Sequence, residues 1–451
     1  MPVKAGNHAF FCEITLHKYS KYCSMWVGRI SLRVMIHISK PYKEEREGRV
    51  YLVSKVKDET HGWNEELWFS VTPEYRESLC DDYADSFLLL TLLPAIKSGQ
   101  DIRVEAPVSR RLLFNIRNTI QPIFARMMGK AQIRIEAEPS DAVLYHGKGV
   151  GCGCSLGVDS MSSFLRHFGQ EGKDGYHVTH LTLFNSGQLG SHELKSAAEN
   201  FARSVERLKP FSEAVGLPIC AVDSNLNSYY LANEVTLLHS FVLRTCACAM
   251  ALQKLFGNYV YASSYAVHQF QFSGWDASHM ESAYAPMCST ENFTLILSNP
   301  EMTRVEKTDY IRKWPHTPEF LQVCWAEQMA YDHLRDARFL EGKVKTNCGW
   351  CGKCMRTLLT LEILQGDISM YGDEYDLGKY HAHKDEYVAR VFAKSDRNVF
   401  FRELEELILK TGMPLPPMAL KVYRKRKLKA KVKRVLGKPA ALLRKVWARL
   451  H

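Results

Sequence analysis

Apolar and polar positions follow two different rhythms along this chain, and the change between them falls near residue 141. From 141 to 315, short apolar runs are separated by helical patterns. A Gly-punctuated extended run from Val143 to Cys154 comes first, then a helical pattern over 161–168. Residues 181–185 read as a second strand, and the loop after them leads into a long helix from Leu194. A third strand over 218–223, an apolar helix over 237–256 and a fourth strand over 259–264 continue the alternation. Strands alternating with helices predict a parallel sheet covered on both faces. The expected fold is α/β, a doubly wound parallel sheet whose ligands bind beyond the carboxyl ends of the strands.

Residues 1–140 read differently. Partial alternation over 13–16, 29–34, 50–53 and 66–71 suggests β-strands. A buried helix begins at 87–93, and residues 112–128 contain another. The expected organisation is an N-terminal α+β domain over 1–140 and a nucleotide-binding domain over 141–345. A cysteine cluster with helices follows over 346–415, then a basic amphipathic tail over 416–451.

The segment Ser155-Leu156-Gly157-Val158-Asp159-Ser160 sits between the first strand and the first helix of the alternating region. Strand, tight turn and helix aim backbone N–H groups and a helix N-terminus at a phosphate. Ser155 and Ser160 add hydroxyl donors, and Gly157 lets the backbone approach an anion. Asp159 beside phosphates requires a bridging cation, which points to Mg²⁺. No G-x-x-x-x-G-K-[ST] sequence occurs, so this is not a Walker A loop.

The pattern resembles S-G-G-x-D-S, the pyrophosphate loop of the PP-loop ATP pyrophosphatases. Leu156 stands at the first glycine of that pattern, where a backbone twist open to glycine is less available to it. Downstream, Gly187, Gln188 and Glu193 resemble the "YGQ…E" segment of the 7-cyano-7-deazaguanine synthase (QueC) branch, with Ser186 in place of Tyr. The resemblance covers about half the chain and implies an adenine nucleotide alpha-hydrolase-like fold. It further implies ATP held by residues 155–160 (Ser155, Leu156, Gly157, Val158, Asp159 and Ser160) and by Gln188.

Arg304 and Lys307, on one face of a helical pattern over 303–310, take the place of the cations that steady the leaving pyrophosphate in that family. A solvated amphipathic turn is the alternative for this pair. The implied reaction, with Asp159, Ser160, Arg304 and Lys307 as its catalytic set, converts ATP to AMP and pyrophosphate. It activates a carboxylate or amide oxygen for attack by a nitrogen nucleophile. Modification of a macromolecule (tRNA, protein or surface glycan) and a catalytically decayed nucleotide-binding scaffold are the competing readings. Asp276 either lines the substrate pocket or forms a loop turn.

Cys348-Gly349-Trp350-Cys351-Gly352-Lys353-Cys354 contains two overlapping C-x-x-C pairs that converge three thiolates. Cys324 is the best fourth ligand for tetrahedral zinc, and an iron–sulfur cluster is the competing assignment. Met355-Arg356 follows the third cysteine, as Arg follows it in the QueC branch. The chain has 13 cysteines, and Cys152, Cys154, Cys220, Cys246 and Cys248 lie in apolar contexts that suit burial. Many unpaired cysteines and no signal peptide suggest a cytoplasmic protein.

Charge changes the picture only at the end of the chain. Residues 421–451 hold thirteen Lys and Arg and no acid, more than the net charge of +10, so the rest is mildly acidic. Leu428, Val432, Val435, Leu436, Leu443, Val446, Trp447 and Leu450 recur at helical spacing. A basic amphipathic helix with Trp suggests peripheral attachment to an anionic membrane, possible at the inner membrane face. RNA is the competing partner, and a solvated tail is the third alternative. No apolar run reaches the ~18 residues needed to cross a bilayer.

Overall fold

The computed structural model describes residues 35–169, 176–188, 194–324 and 345–432. The suggested strands at 13–16 and 29–34, Glu193 and Trp447 lie outside these residues. The N-terminal part supplies β1 (Met35–Ile38), β2 (Tyr42–Arg46), β3 (Arg49–Asp58), β4 (Trp63–Val71), α1 (Asp85–Ser98), β5 (Asp101–Ser109), α2 (Gln121–Met128) and β6 (Ile135–Ser140). Then come β7 (Gly149–Gly153), α3 (Val158–His167), β8 (His180–Phe184), α4 (Leu194–Val215), β9 (Ile219–Ser224) and α5 (Leu237–Met250). The sheet ends with β10 (Phe256–Ala262) and β11 (Thr294–Ser298), and α6 (Arg304–Ile311) follows. Beyond the cysteine cluster lie α7 (Gly352–Gln365), α8 (Leu377–Lys394) and α9 (Val399–Thr411).

All eleven strands form one mixed, mostly parallel sheet in the order β11-β10-β7-β8-β9-β4-β3-β1-β5-β6, with β2 paired to β3. From β7 to β11 every neighbouring pair is parallel. The chain moves outward from β7 through β8 to β9, then returns to the other side of β7 as β10 and β11. The order therefore reverses between β7 and β10. Beyond the carboxyl ends of the strands at such a point lies a crevice suited to a ligand.

Strand alternation divides the interior into two cores. Cys220 and Val222 of β9, with Phe256, Tyr259 and Tyr261 of β10, join α1 and α5 in one. Ile219 and Ala221 of β9, with Val260 of β10, face the other, which holds the buried residues of α3 and α7. Side chains at successive strand positions point to opposite faces, so the sheet is covered on both.

The strands before residue 141 are continuous with those after it. β4 pairs antiparallel with β9 through Phe69–Ser224 and Ser70–Asp223. Asn225 extends this pairing with its side chain, which accepts from Trp68 N (2.9 Å) and donates to Glu66 O (2.7 Å). Several boundaries differ from the sequence expectation; the fourth strand, expected over 259–264, runs Phe256–Ala262. Residues 141–148 form no strand. The helix over 112–128 is interrupted by a π-helical turn, Ile116–Ile120. The apolar helix stops at Met250 because the chain must turn so that Phe256 can pair with Gly149.

Asn225→Ala should cost about 1–2 kcal/mol, since a peptide N–H and a carbonyl at the β4–β9 junction lose their partner. Denaturant unfolding of the full chain should register a lower midpoint.

Candidate functional site: a phosphate loop and a cysteine cluster

The loop after β7 has the geometry of an anion cradle. Gly157 is the N-cap of α3, and no side chain caps it. The first amide N–H groups of a helix lack intrahelical acceptors, so here they are left for an external one. Ser155 Oγ lies 3.1 Å from Ser160 Oγ, and Ser160 Oγ donates to Gly157 O at 3.1 Å. Leu156 and Val158 are buried, so they present only backbone to a ligand. The twist expected to be less available to Leu156 is adopted after all, at φ +57°. Its carbonyl accepts from Gln322 N at 2.9 Å, and its buried side chain holds it in place.

Asp159, in the first turn of α3, pairs with Arg304, and its Oδ1 lies 3.5 Å from Lys307 Nζ. Lys307 Nζ donates to Ser263 O (2.5 Å) and Ser263 Oγ (2.8 Å) at the end of β10. α6 starts on a capping box, in which Thr303 N donates to Glu306 Oε2 (2.7 Å) and Glu306 N to Thr303 Oγ1 (3.2 Å). Lys307 is 1% exposed, which removes the solvated-turn alternative for it. Burial lowers its pKa, against the pull of Asp159.

Three further charged groups surround this pair. Glu281 is buried; its Oε1 accepts from Ser264 N and Tyr265 N, while Oε2 has no hydrogen-bond partner. Burial pushes its carboxyl up to about 8, although the two amides and Lys307 pull it down. The Arg356 guanidinium lies 4.3 Å over the Phe400 ring, and that of Arg304 lies 5.1 Å over the same ring. Burial, then Arg304, lowers Arg356 to about 10. Lys353, in the first turn of α7, is exposed. None of these three is assigned to the site by sequence. For Lys353 and Arg356 a signal existed, because they lie inside and just after the C-x-x-C-x-x-C run. Glu281 carried none.

Gln188 is occupied within its own loop. Its Nε2 donates to Phe184 O (2.9 Å) and its Oε1 accepts from Ser186 Oγ (2.5 Å). Beneath the loop lies Arg244, 1% exposed, which donates to Ser186 O, Asn227 Oδ1, Val235 O and Ser240 Oγ. Gly187 has φ +101°, and a Cβ there would collide with Arg244 and Asn227. Asp276 caps a turn by accepting from Ser278 N (3.0 Å) and also takes Tyr265 OH (3.1 Å). It stands behind a cleft of about 450 Å³ whose lining includes Tyr265, Trp275, His279, Thr303, Phe400 and Glu403. Tyr265 stacks between His279 and Phe400, so this cleft adjoins the Arg304–Asp159 pair.

Cys324, Cys348, Cys351 and Cys354 place their sulfurs all within 4.8 Å of one another. Separations of 3.9, 4.0 and 3.4 Å bracket the ~3.8 Å edge of a tetrahedron with Zn–S bonds near 2.3 Å. Cys351 N donates to Cys348 Sγ (3.3 Å) and Cys354 N to Cys351 Sγ (3.5 Å). Four sulfurs converging at this spacing suit one shared ion. Gly349 (φ +76°) is required, since a Cβ would run into Asp376 O. The group could therefore hold one metal ion such as zinc. Elsewhere burial pushes thiols up, Cys154 and Cys220 to about 12 and Cys152 further, which leaves no thiolate beside the loop.

At the C-terminal end, residues 417–432 are helical and basic, with Leu428 and Val432 exposed. Arg426 fastens this helix to Glu405 and Ser395. Among the described residues no helix is long and apolar enough to cross a membrane. No protein-family model, curated protein or solved structure matches the chain.

Two outcomes are expected. Because the folded chain keeps the Glu281 proton that the unfolded chain gives up above its ordinary pKa of 4.5, this group's contribution to stability falls as pH rises to about 8. Glu281→Gln mimics the neutral form, so its unfolding free energy should exceed that of the wild type above about pH 8 and match it near about pH 5. Metal analysis of the purified chain should find about one zinc per molecule, and Cys351→Ala should lose it together with much stability.

Proposed function

We propose that this protein is an ATP-dependent adenylating enzyme of the PP-loop, QueC-like kind, with an adenine nucleotide alpha-hydrolase-like nucleotide domain. The observation that carries this reading is an uncapped helix N-terminus at the strand-order reversal, faced by Arg304 and Lys307. The β- and γ-phosphates of ATP bind to the first-turn amides of α3 and to Ser155, Gly157 and Ser160. Gln188 is released from its loop to hold the nucleotide. Arg304 turns from Asp159 toward phosphate, which frees Asp159 to hold Mg²⁺. When bound, Mg²⁺ screens the phosphate charge.

A carboxylate or amide oxygen of the substrate attacks the α-phosphorus, and the bond to the bridging oxygen breaks to release pyrophosphate. Arg304 and Lys307 stabilise the charge that develops on that leaving group. A nitrogen nucleophile then displaces AMP. The cleft beside Tyr265 and Phe400 receives the acceptor. The four-cysteine group holds zinc and closes the site from the side of α7.

A macromolecular acceptor is the second reading, favoured by the basic helix over 417–432 with its exposed Leu428 and Val432. The same surface suits attachment to an anionic membrane or to RNA.

With labelled ATP and a substrate, the products should be AMP and pyrophosphate. Asp159→Asn or Ser160→Ala should reduce turnover by about 100-fold or more, as removal of one preorganised charge contact does. Release of ADP and phosphate would overturn the assignment.

A further inference from the structure

Two physical connections run from the cysteine cluster to the phosphate loop. The first is through the main chain. Gln322 N donates to Leu156 O at 2.9 Å, so the segment that ends at Cys324 holds the one left-handed residue of the loop. Asn347, fully buried, pins that segment beside Cys348: Oδ1 accepts from Val323 N (2.8 Å) and Cys324 N (3.1 Å), and Nδ2 donates to Leu321 O (3.0 Å).

The second connection is α7. Its N-cap is Cys351, its first turn contains Lys353 and Cys354, and Arg356 follows. Arg356 and Arg304 share the Phe400 ring, and the Nε atoms of both are buried without an acceptor. Asp159 Oδ1 is buried nearby, 3.5 Å from Lys307 Nζ. Orphaned guanidinium atoms from α6 and α7 thus meet at one place. Buried polar groups are normally paired, and guanidinium donors crowded together suit a multivalent anion.

We propose that Lys353 and Arg356 form a wall of the phosphate site, and that a metal ion on Cys324, Cys348, Cys351 and Cys354 sets this wall in place. Anion affinity therefore follows metal occupancy. The ligand is a pyrophosphate or the terminal phosphates of a nucleoside triphosphate, so the inference rests on the phosphate-loop reading above. A metal ion fixes Cys324 and the α7 N-terminus to one point. Without it, the buttress of Leu156 and the two cations on α7 move independently.

The test is calorimetric titration of inorganic pyrophosphate with Mg²⁺ into the full chain, once metal-loaded and once stripped by chelation under reducing conditions. Circular dichroism checks that the stripped chain is still folded. Stripping should weaken binding at least about tenfold, the loss expected for one charge-assisted hydrogen bond. Zinc added back should restore it. Arg356→Gln should lose at least as much affinity while keeping its metal, and this variant decides the matter if the stripped chain unfolds. Equal affinity in loaded and stripped protein, or wild-type affinity in Arg356→Gln, overturns the proposal and leaves the phosphate loop standing. Absence of pyrophosphate binding in every form overturns the phosphate-loop reading itself.

Discussion

The ion pairs from Asp159 to Arg304 and Lys307 fix the geometry at the carboxyl edge of the sheet. Lys307 is almost completely buried, and an isolated ammonium in such a place would cost several kcal/mol of desolvation. Asp159 and the two Ser263 oxygens offset that cost, which ties the start of α3, the end of β10 and the whole of α6 to one charge. Arg304 then carries the constraint outward to Phe400 on α9, where Arg356 meets it. Cations outnumber ionised carboxylates here, because burial favours the neutral form of Glu281. A surplus of positive charge held away from water is stable only while its donors are satisfied, and an anion satisfies them best.

The sheet makes this arrangement rigid. The loop after β7 emerges where the strand order reverses, with β8 on one side and β10 on the other. Arg244 supports the neighbouring β8 loop in an unusual way, as a buried guanidinium whose described acceptors are carbonyls, an amide oxygen and a hydroxyl. The Tyr230 ring 4.0 Å away adds a cation–π contribution, and burial lowers its pKa to about 10. The N-terminal strands widen the sheet beyond β9 and give α5 a partner in α1. They brace the half that carries the loop and contribute none of the side chains around Asp159.

The central strands were legible because each is a short apolar run bounded by breakers. Residues 181–185 and 218–223 lie within one residue of β8 and β9 at each end. β5 has equally clear alternation, with Ile102, Val104, Ala106 and Val108 buried between partly charged neighbours, yet it was not among the expected strands. β2 reads Tyr-Lys-Glu-Glu-Arg and could not be seen, since an edge strand needs no apolar face. β11, Thr294–Ser298, was not among the expected strands although its apolar run is as long as that of β8. At the site, Asp159, Ser160, Arg304 and Lys307 could be named because motif and spacing mark them. Glu281 could not, because tertiary packing alone brought it there, and Lys353 was marked only by its place inside the cysteine run.

Leu156 shows how a non-glycine residue can hold a left-handed turn. A non-glycine residue in the left-handed region costs about 1–2 kcal/mol, and Leu156 occupies that region. Burying a leucine side chain yields about 1.5–3 kcal/mol, and this one is 3% exposed. The second term covers the first, so the loop keeps the twist that glycine would have allowed without strain. Glycine would leave the loop free to sample other shapes, whereas Leu156 holds it only while its side chain stays packed and Gln322 stays in place. The loop after β7 is therefore set by the core beneath it and by the segment leading to Cys324, rather than by backbone freedom of its own.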